Sequence, residues 1–484
     1  MARIPSVVLG KELPLRLLGR GKVRDTYELP DHPDRLLVVA SNRVSIFDFV
    51  LAALVLFKGE ILTALNVFWR RQVLKGLCHH DLIAAGSEID DFLPEALRGD
   101  SELHRCAVVV HQLLMADVEG IVRGYLTGSS VPAYLETGMV CGHRLQPGLI
   151  DGSRLLFPIF TPTTKAEVGH DEHITADSVG ARFGVGLERL ALQLYQVGAS
   201  YAAERGIILC DTKFEFSRIG ALADEVLTPD SSRYWDALAW QRAHTERKLP
   251  PSFDKQFVRD WGKGHGVHKR NPEVEEDIQF VHGLSVPDDV RKNTTALYRY
   301  IFWRLTGSKL EEYQASAMGI AVHAIPVRVD VVIGSRSDAE QTAAGLEFLS
   351  RQPNVTVRQH VISCHRNPSE LATYAASVGN EADAIIAGAG MAAALPGVLK
   401  ALLSSGGVSL PVLGVAFSGK SASDDAAARL SIENLPGQPV ELNSNGRAYF
   451  GEGGFHEACM AAIQHEFLPK TISAKPAELC TTFV

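Results

Sequence analysis

Apolar positions along the 484-residue chain follow two rhythms, and the change between them falls near residue 326. Upstream, β-branched runs at 36–40 and 207–210 predict strands, and a long periodic stretch at 187–204 predicts a helix. Within 287–307, Val290, Thr294, Leu297, Ile301 and Leu305 recur at helical spacing and predict a helix that closes this part of the chain. Downstream, strand patterns at 329–333, 355–362, 384–387 and 412–415, mostly short apolar runs, alternate with helical patterns at 339–349 and 369–378. Continuous apolar strands separated by helices predict a doubly wound parallel sheet, an α/β domain. The upstream part mixes its elements less regularly and reads as α+β. The predicted organisation is a first domain over 1–307, a separating stretch over 308–326 that is partly helical, and a second domain over 327–484.

Composition narrows the class. A formal charge of -8 without a long basic block argues against a general nucleic-acid binder, while 46% apolar residues suffice for sizeable cores. The first residues lack the apolar core of a secretory signal, and the apolar run at 44–57 contains Asp48 and is too short to span a membrane. Seven cysteines without a Cys-x-x-Cys pair predict reduced thiols. The expectation is a soluble cytoplasmic protein with no membrane and no nucleic-acid partner.

Candidate chemistry clusters in a few places. Asp211-Thr212-Lys213-Phe214-Glu215-Phe216 continues an apolar strand, so alternation puts Asp211, Lys213 and Glu215 on one face. Two acids around a lysine suit a polyphosphate site with Mg²⁺, and a salt-bridged solvated face fits the same pattern about equally well. Asp224 adds a possible metal ligand and Arg233 an anion clamp; a polar turn capped by Asp230 accounts for the same residues. Arg123, Gly124, Gly128 and Ser129 form a Gly-and-cation cluster, as do Gly19, Gly21, Lys22 and Arg24. Asp171, within Gly169-His170-Asp171-Glu172-His173, is an acid that would enter a substrate or Mg²⁺ site; the stretch lacks the spacing of a zinc motif. In the second part, Ser335, Ser337 and Asp338 sit between a strand and a helix, where they would bind a phosphate or where Ser337 or Asp338 would simply cap the helix. His365 and Arg366 follow the next strand, at the edge where open α/β sheets hold ligands. Gly388-Ala389-Gly390-Met391 matches a loose dinucleotide fingerprint, but no acid follows in 394–423, so NAD binding is rejected.

Taken in order, Gly21 to Asp25, Ala40 to Asp48, Lys58 to Thr63, Ile121 to Ser129, Phe160 to Glu172, Asp211 to Phe216, Thr228 to Arg233 and Ser252 to Trp261 closely resemble the SAICAR synthetase family, over about 10–307. The resemblance implies ATP-dependent joining of the carboxylated aminoimidazole ribotide, CAIR, to L-aspartate. It implies that Lys22 with Arg24 and their loop contact ATP, that Glu215 and Asp224 hold Mg²⁺, and that Arg123, Ser129 and Arg233 grip CAIR beside Asp211 and Lys213. Ser217 stands where that family usually has Gly, a modest strain if the position needs a positive φ. Gly334 to Asp338, Ser363 to Arg366, Ala387 to Gly397 and Leu410 to Val415 look like the AIR carboxylase family over about 327–468, which includes N5-CAIR mutases. That second resemblance implies nucleotide binding by Ser335, Ser337, Asp338 and Arg366, proton transfer by His365, substrates AIR or N5-CAIR, and a homo-oligomer, by family habit an octamer. Ala394 replaces the histidine usual in the mutases. The leading expectation is a bifunctional purine-biosynthesis enzyme. The rivals are a ligase carrying a non-catalytic oligomerisation or nucleotide-binding module, and a kinase-like phosphotransferase with another substrate.

Overall fold

The computed structural model describes residues 12–165, 172–184, 186–321 and 326–470. The chain forms two compact units, Met1–Val322 and His323–Val484.

The first unit contains two main antiparallel sheets. One has five strands in the order β1 (Leu17–Arg20), β2 (Arg24–Glu28), β3 (Arg35–Ala40), β7 (Ala107–His111), β6 (Leu82–Ala85). Between β3 and β6 the chain makes a hairpin, β4 (Arg43–Ile46) and β5 (Phe49–Leu54), and then helix α1 (Lys58–Phe68). The apolar run at 44–57 is therefore largely a hairpin, whose Val44, Ile46, Phe49 and Leu51 are buried in one core cluster. The second sheet runs β11 (Arg154–Phe160), β8 (Met115–Tyr125), β13 (Ile207–Ser217), β14 (Leu222–Ala223), with β12 (Thr163–Thr164) also on β8 and β15 (Ser232–Asp236) also on β13. A small ribbon, β9 (Met139–Val140) and β10 (His143–Arg144), completes the strands of this unit.

The expected helices form where the periodicity puts them, Gly186–Ala203 and Asp288–Thr306. The closing helix buries Thr294, Leu297, Ile301 and Leu305 and stops at Gly307, whose φ of 75° is the left-handed cap that only glycine adopts freely. The chain does not leave the first unit there. Leu310–Met318 forms another helix, with Leu310, Tyr313 and Met318 buried and Gln314 donating to Glu60 of α1 at 3.0 Å. The first half of the expected separating stretch is thus part of the first unit's core.

The second unit is a five-stranded parallel sheet in the order β17 (Val355–Val361), β16 (Val327–Ile333), β18 (Ala384–Ala389), β19 (Val412–Ala416), β20 (Tyr449–Phe450). Hydrophobic clusters cover both faces, one around Val332, Leu399 and Ile432 and the other around Val331, Leu349 and Phe455. Burial on both faces is why β18 and β19 read as unbroken apolar runs, whereas β17 at the sheet edge carries Arg358, Gln359 and His360. The predicted helix at 339–349 begins instead as a 3₁₀ turn, Arg336–Thr342, before Ala343–Ser350 becomes α-helical. Strand β20 and the helices Ala422–Glu433 and Gly451–Gln464 were not foreseen. Among the described residues no helix is long and apolar enough to cross a membrane.

Candidate active site

Strand β13 organises the first unit's chemistry. Its alternation holds: Asp211, Lys213 and Glu215 share one face while Thr212, Phe214 and Phe216 are buried behind it. Its neighbours bring the counter-charges. Asp211 lies opposite Arg123 of β8 on one side and Arg233 of β15 on the other. Arg123 Nη1 donates to Asp211 at 2.7 Å, and Arg233 Nη1 is 3.5 Å from the same oxygen. Arg123 Nη2 reaches Ser129 at 3.1 Å. Gly128 is left-handed (φ 63°), and a Cβ there would lie 2.9 Å from the Arg233 guanidinium, so glycine is required by both backbone and neighbour.

Glu215 faces Glu119 of β8 in register, a like-charge pair that needs cations. Lys213 supplies one, 2.6 Å from Glu119 and 3.7 Å from Glu215, and Lys165 supplies another at 2.5 Å from Glu215. Lys213 is held firmly protonated: burial opposes its charge, but Glu119 and Glu215 outweigh burial. Glu215 is pushed up from the usual carboxylate range by burial and by the charge of Asp224. Burial would also raise Asp224, but Arg24, Lys213 and Lys165 hold it at about 2. Arg24 Nη2 donates to Asp224 at 2.8 Å and approaches Glu225 at 3.4 Å.

These groups line two cavities. The first, about 250 Å³, has Arg24, Lys165, Glu215 and Asp224 at its charged end. Leu36 and Val38 of β3 pair across the sheet with Val110 and Val108 of β7 and give the same cavity a flat aliphatic wall. The second, about 180 Å³, holds Arg123, Ser129, Asp211, Lys213 and Arg233. Lys213 and Glu215 are two residues apart on one strand face, so the cavities are neighbours along β13.

Of the expected residues in this unit, the structure gathers all but Lys22, which pairs at 2.6 Å with exposed Asp48 and lines neither cavity. Asp171 lies outside the described residues. Asp230 is not a mere turn cap: its side chain is 5% exposed, pairs with Lys58 at 2.6 Å and accepts from Tyr298. Ser217 ends β13 in extended backbone, absent from the positive-φ residues, and its Oγ accepts from the Ala221 N–H at 3.0 Å; the feared strain does not arise. Glu119 and Lys165 were missed. Lys165 lies in the Phe160 to Glu172 stretch that carries the resemblance, but only the tertiary structure brings it and Glu119 to Glu215.

In the second unit the loops after the strands gather at the carboxyl edge of the sheet. Ser335 caps the 3₁₀ turn, accepting from the Ser337 N–H, so the cap is Ser335 rather than Ser337 or Asp338. Asp338 is half-buried and pushed up by burial, and a Cβ at Gly390 would stand 3.9 Å from it. Arg366 reaches across to the Gly334 carbonyl at 3.0 Å, and His365 beside it is exposed. Gly388 is explained by packing: a Cβ there would come within 2.5 Å of the Phe417 ring. Ala394 precedes the helix Leu395–Ser405 and offers no side-chain hydrogen bond.

An aliphatic wall leading to a crowd of cations and carboxylates lies next to an arginine-and-hydroxyl cradle, a pair of cavities with the lining of an enzyme site for anionic ligands. Comparison with known sequences agrees. The sequence model of SAICAR synthetase matches residues 17–274, more than half of the chain, and that of AIR carboxylase matches 328–473. The chain belongs to the SAICAR synthetase family. It is 42% identical over 304 residues to phosphoribosylaminoimidazole-succinocarboxamide synthase of Histophilus somni, an alignment covering 61% of this chain and 99% of the relative. The same-named protein of Chromobacterium violaceum is 41% identical over 302 residues, covering 60% and 99%. Among solved structures, the SAICAR synthase of Saccharomyces cerevisiae, complexed with SAICAR, is 35% identical with a TM-score of 0.54, covering 63% of this chain and 99% of that one.

Proposed function

We propose that the first unit ligates CAIR to L-aspartate at the expense of ATP, and that the second unit forms CAIR from AIR and CO₂ or from N5-CAIR. The observation that carries the ligase reading is the placement of Lys213 and Glu215 on one strand face, each opening into a different cavity. ATP lies in the first cavity with its base on the aliphatic wall and its phosphates toward Arg24 and Lys165. CAIR lies in the second, gripped by Arg123, Ser129 and Arg233. Its carboxylate oxygen attacks the γ-phosphorus and ADP departs, giving an acyl phosphate. The aspartate amine then attacks the acyl carbon, inorganic phosphate leaves, and an amide remains. Lys213 acts as a fixed cation rather than a base, since its neighbours keep it protonated. Asp211 aligns the two arginines.

Mg²⁺ fits the residues present. Glu215 is pushed up by burial and then by the charge of Asp224, and Glu225 Oε1 is buried without a hydrogen-bond partner, so this end can accept a cation. Glu215 and Asp224 would hold the ion, which would neutralise phosphate charge. Among the described residues no group of three or more His, Cys, Asp or Glu side chains is arranged to hold a metal, so phosphates and water would complete its shell.

In the second unit, Ser335, Ser337, Asp338 and Arg366 would bind the ribotide and His365 would move the proton, at the edge where parallel sheets bind ligands. The second reading, a non-catalytic module, rests on Ala394. We further propose that the protein is a cytoplasmic homo-oligomer assembled through this unit; light scattering of the purified chain tests the assembly. Its six cysteines among the described residues are all free, as a reducing compartment favours.

Two assays test the whole reading. Multiple-turnover ADP release should require CAIR and aspartate together and be lost in Lys213→Met; sustained turnover without aspartate would make the unit a phosphotransferase instead. CAIR given without ATP or aspartate should be lost to AIR in a manner abolished by His365→Asn; no loss above background would leave a ligase carrying a silent module.

A further inference from the structure

Asp224 carries its carboxylate into the first cavity from a left-handed backbone (φ 60°), a conformation uncommon outside glycine that its surroundings here hold in place. Those surroundings come from the end of helix α1 and from Asp81, just before β6. Helix α1 ends in a π-helical turn, Trp69–Val73, closed by the Leu74 N–H on the Trp69 carbonyl at 2.8 Å. Such widened turns re-aim side chains, and they recur at functional sites. Arg70, in this turn, is 1% exposed and lies outside the cavity lining. Its Nη2 donates to the Asp224 carbonyl at 2.6 Å while Nη1 pairs with buried Asp81 at 2.8 Å. Asp81 in turn accepts from the Asp224 N–H at 3.2 Å, so the two ends of the guanidinium–carboxylate pair grip the two polar backbone groups of one residue. Asn66, one turn earlier, adds a donor to the Asp224 carbonyl at 3.4 Å and accepts from the Val226 N–H at 3.2 Å.

We infer that Arg70, backed by Asp81, is a positioning residue for the nucleotide's divalent cation, acting through the main chain of Asp224. The inference rests on the reading that Asp224 serves that cation. No other charged side chain of this turn does the same: Arg71 pairs with Glu88 at 2.6 Å instead. A planar fork is needed, because one nitrogen must face a carboxylate and the other a carbonyl; a lysine ammonium keeps the charge and loses the second contact.

The test is Arg70→Lys in the full-length chain, with Asp224→Asn and the double variant beside it. Arg70→Lys should raise the Mg²⁺ concentration for half-maximal ligase activity about tenfold, as loss of a partner behind a metal ligand does, with kcat at saturating Mg²⁺ changed less than about threefold. Calorimetry should show ADP binding weakened in the presence of Mn²⁺ and unchanged in EDTA. The double variant should be no worse than Asp224→Asn alone, since both act through one residue. Equal weakening of ADP binding with and without metal, or additive losses in the double variant, would overturn the inference. If Asp224→Asn itself left the metal dependence untouched, the reading of Asp224 would fall, and the inference with it. Should Arg70→Lys not fold, Asn66→Ala removes the two weaker clamps and must shift the Mg²⁺ requirement in the same direction; no shift would overturn the inference.

Discussion

Arg123 donates through Nε to Thr161, through Nη1 to Asp211 and the Thr127 carbonyl, and through Nη2 to Ser129. A guanidinium anchored on so many sides has lost its freedom before the substrate arrives, so a ligand does not have to order it. Arg123→Lys should therefore lower kcat/KM for CAIR by roughly thirty-fold, about 2 kcal/mol, because a point charge cannot reproduce the fork. Steady-state kinetics at saturating ATP and aspartate check this, and a loss below threefold would remove Arg123 from the CAIR site. Arg123, Asp211, Lys213 and Arg233 were all legible as chemical residues in the sequence. Their partners were not: Arg123 and Asp211 are 88 residues apart, and only strand register joins them.

At the scale of elements, strand β13 was the most readable. Alternation of polar and apolar side chains from Asp211 to Phe216 identifies both its faces, with Thr212, Phe214 and Phe216 buried. Helix α1 was the least readable. Lys58 at its start meets Asp230, while Asn66 and then Arg70 in the turn beyond it meet Asp224, a division of labour visible only once the loop between β14 and β15 is laid across it. In the second unit the helix Leu395–Ser405 buries Lys400, 1% exposed, whose Nζ donates to the Leu410 carbonyl at 2.8 Å. Burial depresses its pKa from 10.5 to about 8, against the pull of Glu441 and with Lys470 adding repulsion. Glu441 is itself pushed up by burial and paired with Lys470 at 2.8 Å. Between about pH 8 and 10.5 the unfolded chain keeps a proton on Lys400 that the folded one releases, so stability rises with pH across that window. Below it the charge costs this unit of the order of 3 kcal/mol. Lys400→Met should accordingly melt above the parent at pH 7, with the difference shrinking as pH approaches 10; calorimetric scans across that range check the sign.

At the scale of the whole molecule, each of the two compact units has its own sheets and its own hydrophobic clusters. Chemistry confined to one unit should then be removable without loss of the other. His365→Asn should abolish ATP-independent loss of CAIR and leave aspartate-dependent ADP release within about twofold, while Arg233→Ala should do the reverse; parallel assays on each variant check it, and joint loss would mean the units depend on each other. Sequence by itself determined the two-part architecture, the class of each part, the family resemblance and several of the charged side chains that line the cavities. It could do so because helix and strand periods are local properties and because reactive residue types stand out against an apolar background. Tertiary structure decided the rest: that 310–318 belongs to the first unit, that Glu119 and Lys165 stand against Glu215, that Ser217 is unstrained, and that Arg70 grips Asp224. Each of these depends on which strand lies beside which, or on a backbone angle set by distant neighbours, and no local pattern of residues encodes either.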